Sequence, residues 1–427
     1  MSTKRIILSI ILIFSLNFGQ FPIELNPNEI SNQINFNSEV NTEYLLTVYA
    51  SSNTNWSEMN SESSTLTISI DGNWDNYNQD IILYAGTNLH YYHTSLGPIT
   101  VGMHTLEFKF DYTKSSNNAN QIIIDSIQLL DINTINIDDD VIKHSPILYG
   151  RDLLSPNEST HTDIPLILWH DISYEGTNKR IKYSIIFSNE DSRVGIGLAE
   201  LMFSYGRTTD IEWAYEVLLS NDGNIINETF QGANHITTNF EGNKVGRHPI
   251  LKNATLNCNF SDTGTSNYKF FLSPILTSSN QHTREFLMDE NPWTYRIMAE
   301  ELINEQRYEQ NPDPESVIIS DVRNYLYIEF TGETSNQNTV LDIAIRFLGS
   351  CETYVHHHNY PEFSNNYTGG IKRTSIELPN NFDPLTIHKL GFISNDNDDY
   401  NINITAISRI FYLDENYIPT NLDFIFS

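Results

Sequence analysis

Two cysteines, Cys258 and Cys351, are all that the 427 residues contain. So few thiols exclude a disulfide-dense scaffold and the thiolate-rich metal motifs. They leave open one disulfide closing a long loop, or two buried thiols. Cations are scarce too: 24 Lys and Arg stand against 54 Asp and Glu, a net charge of −30 at pH 7. A surface of that sign cannot displace the counterions of a phosphate backbone, so nucleic acid is excluded as a ligand. Divalent cations and neutral ligands remain. Long apolar runs are missing after the first residues, and none there reaches the roughly 20 residues that a membrane-crossing helix needs.

The opening "MSTKRIILSIILIFSLNFGQ" sets Lys4 and Arg5 before an apolar run from Ile6 to Phe18. A charged segment followed by a short greasy one is the order of a secretory signal, so residues 1–20 are expected to be removed on export. The protein is then expected to be secreted, periplasmic or at the cell surface. Its length suggests two domains.

Helical periodicity is absent from Glu43 to Ile132. Short strands replace it: "EYLLTVYASS", "STLTISIDG", "QDIILYAG", "GMHTLEFKFDY" and "QIIIDSIQLLDI". In "TLTISI", Leu66, Ile68 and Ile70 alternate with Thr65, Thr67 and Ser69, the pattern of a half-buried antiparallel strand. With Asp71-Gly72 and Gly102 as turn signals, this spacing predicts a β-sandwich of about 100 residues. On "LTISIDG", "GMHTLEFKF" and "IIIDSIQLL", residues 21–132 resemble the jelly-roll carbohydrate-binding modules of secreted polysaccharide enzymes. The resemblance implies a glycan ligand stacked on loop aromatics and hydrogen-bonded to a nearby Asn. The comparable residues are Trp56, Trp74 and Tyr77, with Asn118 and Asn120.

Residues 133–146, "NTINIDDDVIKHSP", turn acidic, end near a proline, and read as a linker. Asp138, Asp139 and Asp140 offer clustered oxygens to Ca²⁺, as do Asp396, Asp398 and Asp399 farther on. Residues 147–427 are again strand-rich and are expected to form a larger β-sandwich-like domain, making the fold class all-β. One helix is expected in "ENPWTYRIMAEELINEQRYEQ", with Asn291 as N-cap, Pro292 at the first helical position, and Tyr295, Met298 and Leu302 on one face. In "FSNEDSR", "GRTTDIEW" and "MDENPWTYR" this region resembles an uncharacterised group of secreted bacterial proteins, a likeness that implies no activity.

Titratable groups gather at the expected strand ends: His170 and Asp171, Glu190 and Asp191, then Arg207, Asp210 and Glu212. Were those strands neighbours, paired carboxylates at one sheet edge would suit glycoside hydrolysis. A His beside them would suit proton abstraction from a uronate. In "GRTTDIEWAYEV" strict alternation puts Ile211, Trp213, Tyr215 and Val217 on one face and Asp210, Glu212 and Glu216 on the other. In "HHH", at His356 to His358, strand alternation lets at most His356 and His358 point the same way, enough for Zn²⁺ or Cu²⁺ only with a third ligand from elsewhere. "HPIL" after Arg247 and "HSPIL" from His144 look alike, but are too short to be read as a repeat.

The sequence therefore supports three functions: a secreted protein that binds extracellular polysaccharide, a glycoside hydrolase or polysaccharide lyase with its acids in the second region, or an adhesive surface protein.

Overall fold

The structure, a computed structural model, describes residues 21–73, 78–151, 161–190, 196–278, 282–313, 316, 318–334, 341–349, 353–355, 370–380, 383–394 and 402–422. Strands dominate it, and antiparallel sheets organise both compact units. The first unit comprises Met1–Phe187 and Ile211–Thr277, the second Ser188–Asp210 and Ser278–Ser427.

The first unit opens with eight strands: β1 (Ile23–Leu25), β2 (Ser31–Ser38), β3 (Thr42–Ser52), β4 (Thr65–Ile70), β5 (Gln79–Ile82), β6 (His90–Ile99), β7 (Gly102–Phe110) and β8 (Ile122–Asp131). They form two four-stranded sheets, ordered β1-β8-β3-β6 and β2-β7-β4-β5. That order is the jelly roll. Leu46, Val48 and Ala50 from one sheet and Leu66, Ile68, Leu106 and Phe108 from the other fill the space between them. Asp71 and Gly72 both take left-handed φ, 53° and 66°, in a tight turn that the Asn73 N–H closes on the Ile70 carbonyl at 3.0 Å.

The expectation of a half-buried β4 needs correction, because every one of its residues is buried. Its polar face lies under the chain at Lys114 and Lys269. Thr65 Oγ1 donates to the Lys114 carbonyl (2.7 Å), and Thr67 Oγ1 donates to Asp80, which also receives the Lys114 ammonium and the Lys269 N–H. Short hydroxylated side chains suit a face that is covered by backbone.

Residues 133–146 are packed rather than extended. Helix α1 (Asp139–Lys143) buries Val141 and Ile142, and Ile142 joins Leu45 and Ile132 in a cluster flanked by Ile135, Ile137 and Ile275. Then come β9 (Ile147–Tyr149), β10 (Pro165–Glu175), β11 (Asn178–Phe187), β12 (Ile211–Leu219), β13 (Ile225–Gly232), β14 (Ile236–Asn239), β15 (Lys244–Val245), β16 (His248–Asn253), β17 (Phe260–Ser261), β18 (Lys269–Phe270) and β19 (Leu276–Thr277). An antiparallel meander of β10 to β14, with β19 joined in parallel to β10, makes one sheet ordered β14-β13-β12-β11-β10-β19. The look-alike segments pair side by side in parallel, Ile147 opposite Ile250 and Leu148 opposite Leu251. The His248 Nδ1–H bonds the Ser145 carbonyl at 2.9 Å.

The second unit holds α2 (Ile196–Tyr205), α3 (Phe286–Glu290), α4 (Trp293–Asn304), β20 (Tyr325–Thr334), β21 (Leu341–Phe347), β22 (Thr353–Val355), β23 (Gly370–Glu377), β24 (Ile387–Ser394), β25 (Ile402–Leu413) and β26 (Pro419–Asn421). Its sheets run β23-β20-β25-β26 and β22-β21-β24. Helix α4 buries Tyr295, Met298 and Leu302 as its periodicity predicts, although the N-cap is Pro292 rather than Asn291. Helix α2 gave no signal in the sequence. Leu198, Ala199, Leu201, Met202 and Phe203 are all buried, so no polar stripe marks its period. Among the described residues, no helix is long and apolar enough to cross a membrane.

Candidate functional site

The acids of "GRTTDIEWAYEV" do not share a face. The pairing of β11 with β12 shifts register at Ala214: Tyr183 stands opposite Tyr215, yet its neighbour Ser184 stands opposite Trp213. One extra residue reverses every side chain before it. Tyr215 and Val217 therefore share a face with Glu212, while Ile211 and Trp213 share the other with Glu216. This corrects the strict alternation. Trp213 lies only partly buried under the Lys182 ammonium, 4.8 Å from its ring centre, and Glu216 pairs with Arg180.

Nor do the strand-end groups converge. Strands β10, β11 and β12 are neighbours, but antiparallel ones, so successive ends alternate between the two edges of the sheet. His170 sits in mid-strand opposite Tyr183, buried, its Nδ1–H on the Pro274 carbonyl at 2.7 Å. Burial depresses its pKa. Glu190 and Asp210 belong to the second unit, where the Glu190 carbonyl accepts from Arg307 at 2.9 Å. Arg207 turns to Glu285 (3.0 Å). Asp191 lies outside the described residues, as do Trp74, Tyr77, Cys351, His356 to His358, Asp396, Asp398 and Asp399.

Glu212 does meet a second titratable group. Its carboxylate lies 3.3 Å from Nδ1 of His235, a residue more than half exposed at the mouth of a polar cluster. The Gln231 amide, itself buried, donates one hydrogen to Glu212 and another to His235 Nδ1 (2.7 Å). Asn259 receives the His235 N–H at 3.3 Å, and Asn257 lies 3.4 Å from Nε2. Asn234, His235 and Cys258 all hold left-handed φ, between 49° and 59°. Cys258 is buried beside them. His235 went unnoticed in the sequence because it stands 23 positions from Glu212, and only the β12–β13 hairpin brings the two together.

A second cluster lies on the outer face of the first jelly-roll sheet. Tyr49 on β3 and Tyr91 on β6 are directly opposite and stacked, with ring centres 4.3 Å apart and planes 22° apart. Tyr91 is 57% exposed. Beside them Thr47 Oγ1 and His93 Nδ1 are hydrogen-bonded at 2.9 Å, and Ser126 and Gln128 of β8 extend both rows to a third strand. The other half of this face is closed by Leu45, Leu130 and α1. What remains open is a flat patch with aromatic rings, a hydroxyl, an imidazole and an amide.

The loop residues implied by the carbohydrate-module resemblance fare unequally. Trp56 is a core residue, 1% exposed and stacked on His161, so its ring offers no face to a sugar. Asn118 and Asn120 are exposed at the rim, where Asn118 Nδ2 donates to Ser61 and the Asn120 N–H to Asn53. Asp138 and Asp140 hold the Lys179 ammonium, and Asp139 holds that of Lys143. A Ca²⁺ ion on these acids would first displace a lysine. Among the described residues, no three His, Cys, Asp or Glu side chains converge as a metal-binding group.

No protein-family model and no curated protein matches the chain. Solved structures that match part of it include a ruminal GH26 endo-β-1,4-mannanase, at 10% identity and TM-score 0.19, over 33% of this chain and 30% of that one. The GH26-CBM35 β-(1,4)-mannanase of Podospora anserina matches at 12% identity and TM-score 0.17, over 29% of each chain. The chain thus spans about a third of their length, and likeness at this level fixes neither a shared fold nor a shared function.

Proposed function

We propose that the protein binds glycan chains on the outer jelly-roll face around Tyr91. The exposed ring stacked on Tyr49 carries this reading. An aromatic face backed by a second ring is held flat against solvent, and it suits the apolar side of a pyranose. Thr47, His93 and Gln128 supply the hydrogen bonds that orient sugar hydroxyls. The charge of −30 favours neutral polysaccharides over uronates and sulfated chains. Affinity electrophoresis of the full chain in gels of neutral and acidic polysaccharides tests this. Tyr91→Ala is expected to weaken retardation by a neutral polymer about tenfold, about 1.4 kcal/mol. Stability should change by less than about 0.5 kcal/mol, since the ring is at the surface. If no polysaccharide retards the wild-type chain, the proposal fails.

The Glu212–His235 pair favours a second reading, a glycan-cleaving enzyme. In it the imidazole would exchange protons with substrate at Nε2 while Glu212 steadies the imidazolium from behind. Reducing-end release and absorbance of unsaturated uronates, assayed over a polysaccharide panel, separate hydrolase from lyase. His235→Ala is then expected to lower turnover by about 10²–10⁴. Turnover that survives the substitution would exclude His235 from the chemistry.

A further inference from the structure

The sheet β23-β20-β25-β26 of the second unit carries an open groove at one end. Antiparallel pairing brings the start of β20 and the ends of β23 and β25 to that end, with Tyr325 opposite Glu377 and Leu326 opposite Tyr412. The residues just beyond these strands line a space of ≈ 600 Å³, within the range of small-molecule sites. Leu378 and Leu413 make a buried apolar floor, and Pro379, Pro384 and Tyr412 add apolar surface. Asn324, Asn380, Asp414 and Glu415 bring amides and carboxylates.

Among the described residues of the lining the one cation, Arg323, is already engaged. Its Nε and Nη2 donate to Asp321 at 3.0 and 2.6 Å, its Nη1 to the Glu415 carbonyl at 3.3 Å, and its guanidinium lies 4.6 Å from the centre of the Tyr417 ring. It forms a wall, and it is not available as an anion receptor. Asp414 Oδ1 is spent on the turn, accepting from the N–H groups of Asn416 and Ile418. With Arg323 balanced by Asp321, the groove keeps the charges of Asp414 and Glu415, and an anionic ligand would be repelled. Exposed Asn380 and Glu415 offer hydrogen-bonding groups in the same lining as the half-buried Tyr412.

We propose that this groove is a second saccharide site, selective for neutral sugars. The inference rests on the reading of the protein as glycan-binding. A pyranose lies against Tyr412 and the two prolines, and its hydroxyls meet Asn380 and the carboxylates, which accept from vicinal hydroxyl pairs.

Calorimetric titration of the full chain with neutral hexasaccharides, cellohexaose and mannohexaose among them, counts the sites. Two sites per chain are expected, falling to one in Tyr91→Ala and to one in the double variant Tyr412→Ala/Asn380→Ala. Glu415→Gln, a change at an exposed position, serves where the double variant misfolds, and is expected to weaken the groove site about tenfold. Oligogalacturonate is expected to bind neither site. A groove variant that binds like wild type, or a groove that takes oligogalacturonate as well as neutral sugar, overturns the proposal. If Tyr91→Ala leaves binding intact while the groove variants abolish it, the jelly-roll site fails and the groove stands. If the wild-type chain binds no hexasaccharide, both fall.

Discussion

Replacing Arg373 by alanine is expected to destabilise the second unit by about 3–5 kcal/mol, the cost of leaving buried carboxylates without their cation. Arg373 is 1% exposed. It lies on β23 directly opposite Glu329 of β20, which in turn faces Arg409 of β25, so charges alternate across three adjacent strands. The guanidinium reaches Glu329 Oε1 through Nε at 3.0 Å and Asp289 Oδ1 through Nη1 at 3.0 Å. The same nitrogen lies 2.7 Å from the Tyr295 hydroxyl, which donates to Asp289 at 2.6 Å. Helices α3 and α4 thus rest on the sheet through a charged network rather than through apolar contacts alone. Burial by itself would raise the Glu285 pKa, but Arg207, Arg284 and Arg373 hold it down at about 2.

Without Arg373, Glu329 loses its cation in a site from which water is excluded, and Asp289 keeps only Arg409. Trp293 is the only tryptophan in the second unit, and its fluorine resonance in 5-fluorotryptophan-labelled protein, followed through urea unfolding, isolates the effect from the four tryptophans of the first unit. A fall in midpoint of about 1–2 M is expected. The double variant Arg373→Met/Glu329→Met should cost less than the sum of the single changes, because it removes the charges as a pair. A loss below about 1 kcal/mol in Arg373→Ala would show that water reaches the network and screens it.

The second large effect is an acid lability of the first unit. His144 and His161 are buried, and burial lowers each pKa to about 4. The buried His161 ring has Nδ1 2.7 Å from Ser63 Oγ and donates Nε2–H to the Lys114 carbonyl at 2.7 Å. His144 caps α1 close to Asp140, whose charge opposes the effect of burial without cancelling it. Unfolded, both would titrate near 6.5. Their contribution is complete above pH 6.5 and is lost as the pH falls through 4, because over that window the unfolded chain takes up protons that the folded one refuses. Each accounts for on the order of 3 kcal/mol.

Glu377 of the second unit has the opposite slope. Burial raises its pKa to about 7, so its stabilising contribution is full below about pH 4.5 and fades as the pH rises through 7. Between pH 6.5 and 4.5 the first unit should weaken while this group strengthens the second. Urea unfolding of the 5-fluorotryptophan-labelled chain at pH 7, 5.5 and 4.5 tests the difference, with the Trp293 resonance reporting on the second unit and that of Trp56, which stacks on His161, on the first. His161→Gln is expected to flatten the dependence of the first unit. A wild-type first unit already flat over this range would mean that these imidazoles protonate in place.

The amino-acid sequence alone determined whatever depends on local periodicity and turn chemistry. Alternation in "TLTISI", the left-handed pair Asp71-Gly72 and the spacing of Tyr295, Met298 and Leu302 each act within a few residues, and each marks its strand, turn or helix in the fold, although the burial of the polar face of β4 does not follow from alternation. Strand spacing was enough for an all-β chain beginning with a jelly roll. Tertiary structure decided what depends on register and burial. One bulge at Ala214 moved Trp213 across the sheet and set Glu212 beside Tyr215, a change to which no local pattern responds. Trp56 and Tyr91 are both aromatic residues on β-rich segments, yet one fills the core and the other faces solvent. Tyr49 and Tyr91, like Glu212 and His235, become neighbours only when strands pair, because contact across a sheet is set by registration between segments, and no residue carries that information alone.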